Sequence, residues 1–319
     1  MPELSVVVPV YNEEKTIETF LAEIKPNLEA CTEDYEIIFS LDPSKDKTED
    51  IILAKREQDP RIKLLRFSRR FGQPAATWAG LAYSTGKAVL IIDCDLQDPP
   101  GLIAQMYRHW KEDGYKVVIP QRRSRQGENV VKRAVAYLGY WFINKTATVE
   151  IPRNTGDFRL LDRRVVDELM NLKESHGFLR GLTAVVGFST KLIPFDRQAR
   201  IDGEGKYNRL TGSILIGFNG IVAFSGSLLR FMGIIGFSMA ALSIVAALFM
   251  FIGKALGLYD FATGLATLGV LLLFLTGCQL VGMGILGAYI GRIYEETKFR
   301  PKYIVDVAKG FDGHMEQER

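Results

Sequence analysis

Short β-branched runs alternate with helical patterns along residues 1–120. Leu4–Val10 (LSVVVPV), Tyr35–Leu41 (YEIIFSL), Ile62–Phe67, Ala88–Asp93 (AVLIID) and Lys116–Pro120 read as strands. Apolar residues at Ile17, Phe20, Leu21 and Ile24 predict a helix over Lys15–Leu28, and further helices are expected at Thr48–Gln58, Gln73–Ser84 and about Pro100–Gly114. Near-continuous apolar strands separated by helices predict an α/β domain with a mainly parallel sheet, covered on both faces. Such sheets bind ligands outside the carboxyl ends of their strands. That rule marks Tyr11-Asn12-Glu13, Asp42 and Asp93-Cys94-Asp95.

The pattern changes in the second half. Between Phe231 and Gly291 only Lys254 and Asp260 carry charge. The uncharged runs 231–252 and 261–290 each reach the roughly 20 residues a membrane span requires. They predict a two-helix transmembrane hairpin across 231–291, with a loop at 253–260. Residues 209–230 lack charge between their arginines but carry Thr211, Ser213, Asn219, Ser225 and Ser227, which predicts interfacial amphipathic helices. Two spans put Lys206, Arg209, Arg230, Arg292, Lys298, Arg300 and Lys302 on one side and Lys254 on the other. This positive-inside asymmetry predicts a cytoplasmic domain at 1–208, a cytoplasmic tail at 292–319, and an inner (cytoplasmic) membrane location with both termini inside. Gly287 and Gly291 have GxxxG spacing, which permits close helix approach. The tail piece YIVDV reads as a strand that docks on the soluble domain or on a neighbouring subunit.

The net charge of +3 is too weak for bulk nucleic-acid binding. Cys31, Cys94 and Cys278 are scattered without metal-ligand spacing, which fits a reducing compartment. The start, MPELSVVVPVYNEEKT, reads directly as a strand and then a helix, so no cleaved signal peptide is expected. No GxGxxG follows the first strand and no GxxxxGK[ST] occurs, so a bound nucleotide would need another chemistry.

Asp93 and Asp95 stand two apart at a predicted strand end, where an extended backbone would put both on one face with Cys94 opposite. Carboxylates so placed suit a hard divalent cation, which could hold a diphosphate. A D-x-D alone is as readily a turn and a helix cap. Asp98, before Pro99-Pro100, reads as an N-cap, and Arg69, Arg70, Arg122, Arg123 and Arg125 read as surface charge.

The strings VVVPVYNEE, DPSKDKT, FSRRFGQPAATWAGL, DCDLQDPP, TGDFRLLDRRVVDEL, HGFLRGL and GEGKY occur in this order. Together they resemble the family-2 glycosyltransferases of the Rossmann-like GT-A fold, and more narrowly the polyprenyl-phosphate glycosyltransferases, the branch of bactoprenol glucosyltransferase and dolichyl-phosphate mannose synthase. The resemblance covers almost the whole chain. One departure is the second-strand motif DDGSxD, where Leu41 replaces the first Asp and Pro43 the Gly, while Asp42 and Asp46 remain.

The resemblance implies roles by position. Pro9, Tyr11, Glu13, Asp42, Asp93 and Gln97 would bind the donor, and Asp95 would ligate Mg²⁺ or Mn²⁺. Asp157 matches a proposed catalytic base. His176, Arg180, Arg200, Lys206 and Arg209 would bind the phosphates of donor or acceptor. The implied activity is inverting transfer of a hexose, glucose from UDP-glucose, to undecaprenyl or another polyprenyl phosphate for cell-surface glycan modification. Implied partners are the nucleotide-sugar donor, the lipid acceptor, the membrane and further copies of the chain in a homo-oligomer. Two rival readings are a processive polysaccharide synthase, whose Q-x-x-R-W motif is missing, and a non-catalytic scaffold or flippase partner that kept the fold.

Overall fold

The computed structural model describes residues 1–123, 152, 154–172, 179–195, 265–311 and isolated positions between 232 and 256. The chain forms two compact units: Met1–Ala134 with Val149–Asn208 and Phe299–Arg319, and Val135–Thr148 with Arg209–Lys298.

The first unit is built on strands β1 (Leu4–Val10), β2 (Tyr35–Leu41), β3 (Ile62–Phe67), β4 (Ala88–Ile91), β5 (Val117–Arg122), β6 (Arg159–Asp162), β7 (Thr190–Phe195) and β8 (Val305–Lys309). Its described helices are α1 (Ile17–Glu29), α2 (Thr48–Gln58), α3 (Gln73–Tyr83), α4 (Ile103–Lys111), α5 (Arg163–Asn171) and α6 (Leu179–Val185). The strands form one sheet in the order β7-β5-β6-β4-β1-β2-β3-β8. Neighbours β1–β2, β1–β4, β2–β3 and β5–β7 run parallel, and β4–β6, β5–β6 and β3–β8 antiparallel. The α/β, mainly parallel expectation is met.

Every residue of β1 and β2 is buried, as expected of central strands covered on both faces. One face packs Leu4, Val6 and Val8 with Phe20, Ile24 and Leu28 of α1 and with Met106 and Trp110 of α4. On the other, α3 comes very close to the sheet. A Cβ at Gly80 would lie 2.3 Å from Val7 Cγ1 and 2.9 Å from Ser40 Oγ, so the missing side chain sets that spacing. Pro9 lies beyond the last β1–β4 pair, Val7 with Ile91, so its missing N–H interrupts no β4 bond.

Two expectations are corrected here. First, β4 stops at Ile91 rather than Asp93, because its antiparallel partner β6 begins only at Arg159, opposite Ile91. Residues Asp93–Leu96 turn instead, with Leu96 at φ 55°, so the strand geometry assumed for Asp93 and Asp95 does not apply. Cys94 is nevertheless buried between two half-buried aspartates. Second, the helix expected from Pro100 begins as a short 3₁₀ turn, Pro100–Leu102, whose cap position is Pro99 with no side-chain hydrogen bond. Asp98 is therefore not its cap.

The tail docks on the first unit of its own chain. β8 pairs with β3, Arg66 bonds Asp306 (2.5 Å), and Tyr303 and Phe311 join Phe67, Phe71 and Tyr83 in a small cluster with Ala76 and Ala79 of α3.

In the second unit the chain forms helix α7, Leu265–Thr297, about 50 Å long at 1.5 Å per residue. Among the described residues it is the one helix long and apolar enough to cross a membrane, over Phe274–Thr297. It continues past Ile290, where the second span was expected to end. Its apolar side chains at Leu272, Phe274, Leu280, Val281, Met283 and Ile290 are exposed. The described positions at 236–239 are helical, and Phe237, Val245 and Leu248 are likewise exposed. Met232 lies against Gly282, its Cε 2.9 Å from where a Cβ would be. The interfacial segment 209–230 lies outside the described residues, as does the 253–260 loop apart from Leu256.

Candidate active site

The site forms where the carboxyl ends of β1, β2 and β4 meet. The loops after β1 and β2 are laced together. Asn12, at φ 52°, donates its N–H to Ser44 Oγ (3.0 Å) and accepts the Lys45 N–H at Oδ1 (2.9 Å). The Glu14 N–H donates to Asp46 (3.1 Å), and the Glu13 N–H to Thr48 Oγ1 (2.9 Å). Burial pushes Asp46 up, but the Thr48 and backbone hydrogen bonds outweigh it and hold the carboxyl below its usual value. The Glu13 carboxylate accepts from Thr16 Oγ1 (3.0 Å) at the entry to α1.

Asp42 is buried at the end of β2. Its Oδ1 accepts the Phe71 N–H and its Oδ2 the Gly72 N–H, both at 2.9 Å. The carboxylate thus fixes the turn into α3, where Gly72 takes φ 91°, a conformation that suits glycine. Just beyond, Gln73 Nε2 donates to Asp93 Oδ1 (2.8 Å). Two guanidiniums cover the rim: Arg70 stacks 4.1 Å over the Tyr11 ring and Arg69 3.9 Å over Phe71.

The turn after β4 concentrates negative charge. Asp95 Oδ1 accepts the Gln97 N–H (3.1 Å), and Asp98 lies 3.8 Å from Arg122. Asp93 is pushed up to about 7, by burial first and then by the charges of Asp157, Asp95 and Asp98, with the Gln73 hydrogen bond opposing. A divalent cation would offset this charge, and the oxygen donors of Asp93 and Asp95 match a hard ion. Among the described residues no three His, Cys, Asp or Glu side chains could hold a metal ion alone. Asp93 and Asp95 are therefore the candidate protein ligands for such an ion.

Asp157 stands on the bend before β6. Arg180, in the first turn of α6, holds its carboxylate with both oxygens, Nε to Oδ1 at 2.8 Å and Nη2 to Oδ2 at 3.1 Å. Burial pushes Asp157 up, but the charge and hydrogen bonds of Arg180, with Arg159 and Arg122 behind, hold it below the usual carboxylate range. Asp157 is thus a fixed anion.

Of the residues expected at the site, Pro9, Tyr11, Glu13, Asp42, Asp93, Asp95 and Gln97 all lie on or beside the ends of β1, β2 and β4. Asp157 and Arg180 form one ion pair. His176, Arg200, Lys206 and Arg209 lie outside the described residues. Two side chains were overlooked. Gln73 was legible only as part of the FGQ string, and Arg159 only as the arginine of TGDFRLL. Arg122 had read as surface charge, but it faces Asp98 and would crowd a Cβ at Gly156 (3.3 Å).

The fold and the acidic turns beyond its strand ends define an α/β domain with a candidate ligand site at the carboxyl ends of its strands. The chain belongs to glycosyl transferase family 2, which residues 5–170 match. It is 39% identical over 305 residues to the bactoprenol glucosyl transferase of Shigella phage SfV, covering 95% of this chain and 98% of that one. Its identity to an uncharacterized glycosyltransferase of Bacillus subtilis is 40% over 312 residues, covering 97% and 95%. Among solved structures, glucosyl-3-phosphoglycerate synthase from Mycobacterium tuberculosis overlaps with a TM-score of 0.45 at 20% identity, over 69% of this chain and 78% of that one.

Proposed function

We propose that the chain transfers a hexose, glucose from UDP-glucose, to a polyprenyl phosphate at the cytoplasmic face of a membrane, with inversion at the sugar. The observation that carries this reading is the fixed anion Asp157 beside the acidic turn Asp93–Asp95, in a chain similar along its length to proteins named bactoprenol glucosyl transferase. The exposed apolar helix α7 supports a reactant that resides in the bilayer.

Asp93 and Asp95 would hold Mg²⁺ or Mn²⁺ together with the donor diphosphate. The ion would supply Lewis-acid neutralisation of the departing nucleoside diphosphate. Asp42 keeps the Phe71–Gly72 turn in place beside the nucleoside. The acceptor phosphate has a second pKa near 6 and is already largely a dianion at neutral pH. Its oxygen attacks the anomeric carbon as the bond to the diphosphate breaks, and no strong base is required. Asp157, anionic and immobilised by Arg180, either orients the acceptor or stabilises positive charge building on the sugar, and its fixed charge favours the second. Arg200, Lys206, Arg209 and His176 are the proposed partners of the acceptor phosphate, and the working form is proposed to be a homo-oligomer.

The test combines purified full-length protein, Mn²⁺ or Mg²⁺, polyprenyl phosphate and a panel of UDP- and GDP-sugars. Formation of a single-sugar lipid, highest with UDP-glucose, is expected. Polymer would favour a processive synthase, and no product with any donor would overturn the enzyme reading.

A further inference from the structure

Arg159 is the largest fully buried side chain of the described residues, and burial brings its guanidinium down to about 10. An arginine so placed needs a reason, because an ionised group out of water is costly unless its donors are satisfied. Its partners are specific. Nη2 donates to the Gly156 carbonyl (2.8 Å) and Nη1 to Thr183 Oγ1 (2.9 Å). Longer contacts reach the Asp157 carbonyl from Nε (3.4 Å) and the Leu179 carbonyl from Nη1 (3.5 Å). Two of these acceptors are the backbone of the Gly156–Asp157 bend, and two belong to α6 on either side of Arg180. Arg159 itself is fixed by the sheet, through its register with Ile91 of β4.

We infer that Arg159 is a positioning residue that acts through Asp157: it locks the backbone of the Asp157 bend to α6, so that the Arg180 clamp closes on the carboxylate in one orientation. Three elements share this one guanidinium: β6 supplies it, the bend and α6 accept from it, and Arg180 joins the same two from the outside. Lysine keeps the charge but lacks the planar fork that spans acceptors on both. The inference rests on the role proposed for Asp157.

The test compares Arg159→Lys and Thr183→Val with wild type in full-length protein. Thr183→Val removes one acceptor of Arg159 without touching the Asp157 carboxylate or its Arg180 hydrogen bonds. The expected result is a fall in kcat, of about tenfold or more for Arg159→Lys and a few-fold for Thr183→Val, with the KM for the sugar nucleotide within twofold of wild type. Hydrogen exchange of the amides at 155–158 should quicken in both variants, which reads the lock without any turnover. If Arg159→Lys does not fold, Thr183→Val decides: wild-type kcat or, should wild type itself make no sugar-lipid, wild-type exchange at 155–158 overturns the inference. A wild type without product speaks against the proposed reaction, whereas active wild type with unaffected variants speaks against Arg159 alone.

Discussion

Arg180 grips Asp157 through two parallel hydrogen bonds, so the carboxylate proposed to act beside the sugar is held in its ionised form. A general base is most effective with a pKa near the working pH, and this group is held below the usual carboxylate range. Asp157→Asn should therefore cost about 10²–10³-fold in kcat through lost electrostatic stabilisation, with donor affinity kept. Turnover of the remaining activity should have the same pH dependence as wild type between pH 6 and 8. Wild-type kcat in the variant would remove Asp157 from the site.

Asp42 sits in the strand-end position expected of a donor ligand, yet both its oxygens accept backbone N–H groups of the turn into α3. Asp42→Ala leaves two donors without their acceptor, at a cost of about 2–3 kcal/mol. Since that turn leads into Gln73 and thus to Asp93, the KM for the sugar nucleotide should rise as well. Calorimetric titration of UDP and a melting curve measure the two effects. A large melting shift with unaltered UDP affinity would confine Asp42 to the fold.

Gly80 is where α3 nearly touches β1. Gly80→Ala puts a methyl 2.3 Å from Val7 Cγ1, inside van der Waals contact. Overpacking of this kind costs about 1–3 kcal/mol, despite the better helix propensity of alanine. Thermal melting should show the loss, and pairing with Val7→Ala should recover part of it.

At the opposite, amino-terminal ends of the strands, buried Glu36 accepts from Ser5, from Thr85 N (2.8 Å) and Oγ1 (3.0 Å), and pairs with Lys63 (2.6 Å). Burial pushes its carboxyl up, but Lys63 and these donors together hold it below the ordinary value of 4.5. The stability it contributes is then full above that value and is lost as the pH falls through the folded one. Glu36→Gln should melt lower than wild type at pH 7, by about 2 kcal/mol, and the gap should close below about pH 4.5. Because the network lies away from the site, kcat at 25 °C should not change.

Much of the first unit was legible because β1, β2 and β3 carry their own signal in continuous apolar runs. What escaped were features set by partners distant in sequence. The end of β4 depends on where β6 begins, and nothing in AVLIID announces that. Asp42 announced itself as an acid at a strand end, but its partners, Phe71 and Gly72, lie on the far side of β3. Arg159 escaped for another reason: arginine in an apolar run is expected to stay near water, and only the fold reveals that its donors are met by carbonyls and a threonine. In α7 the uncharged run gave the helix, whereas its continuation to Thr297 passes through Arg292 and Glu295, which a search for uncharged stretches excludes.

The pairing of β3 with β8 sets an order of events during synthesis. Leu64 finds its partner in Lys309, and the intervening chain includes the whole of α7. Until Tyr303 and Phe311 have left the ribosome, β3 is an open sheet edge and Phe67, Phe71 and Tyr83 lack their cover. The nascent first unit would thus wait, unfinished, while the apolar helix is made. Pairing this distant is entropically slow to close, so the last strand should lock the domain late, and a stalled chain ending before it should be the species most prone to aggregate.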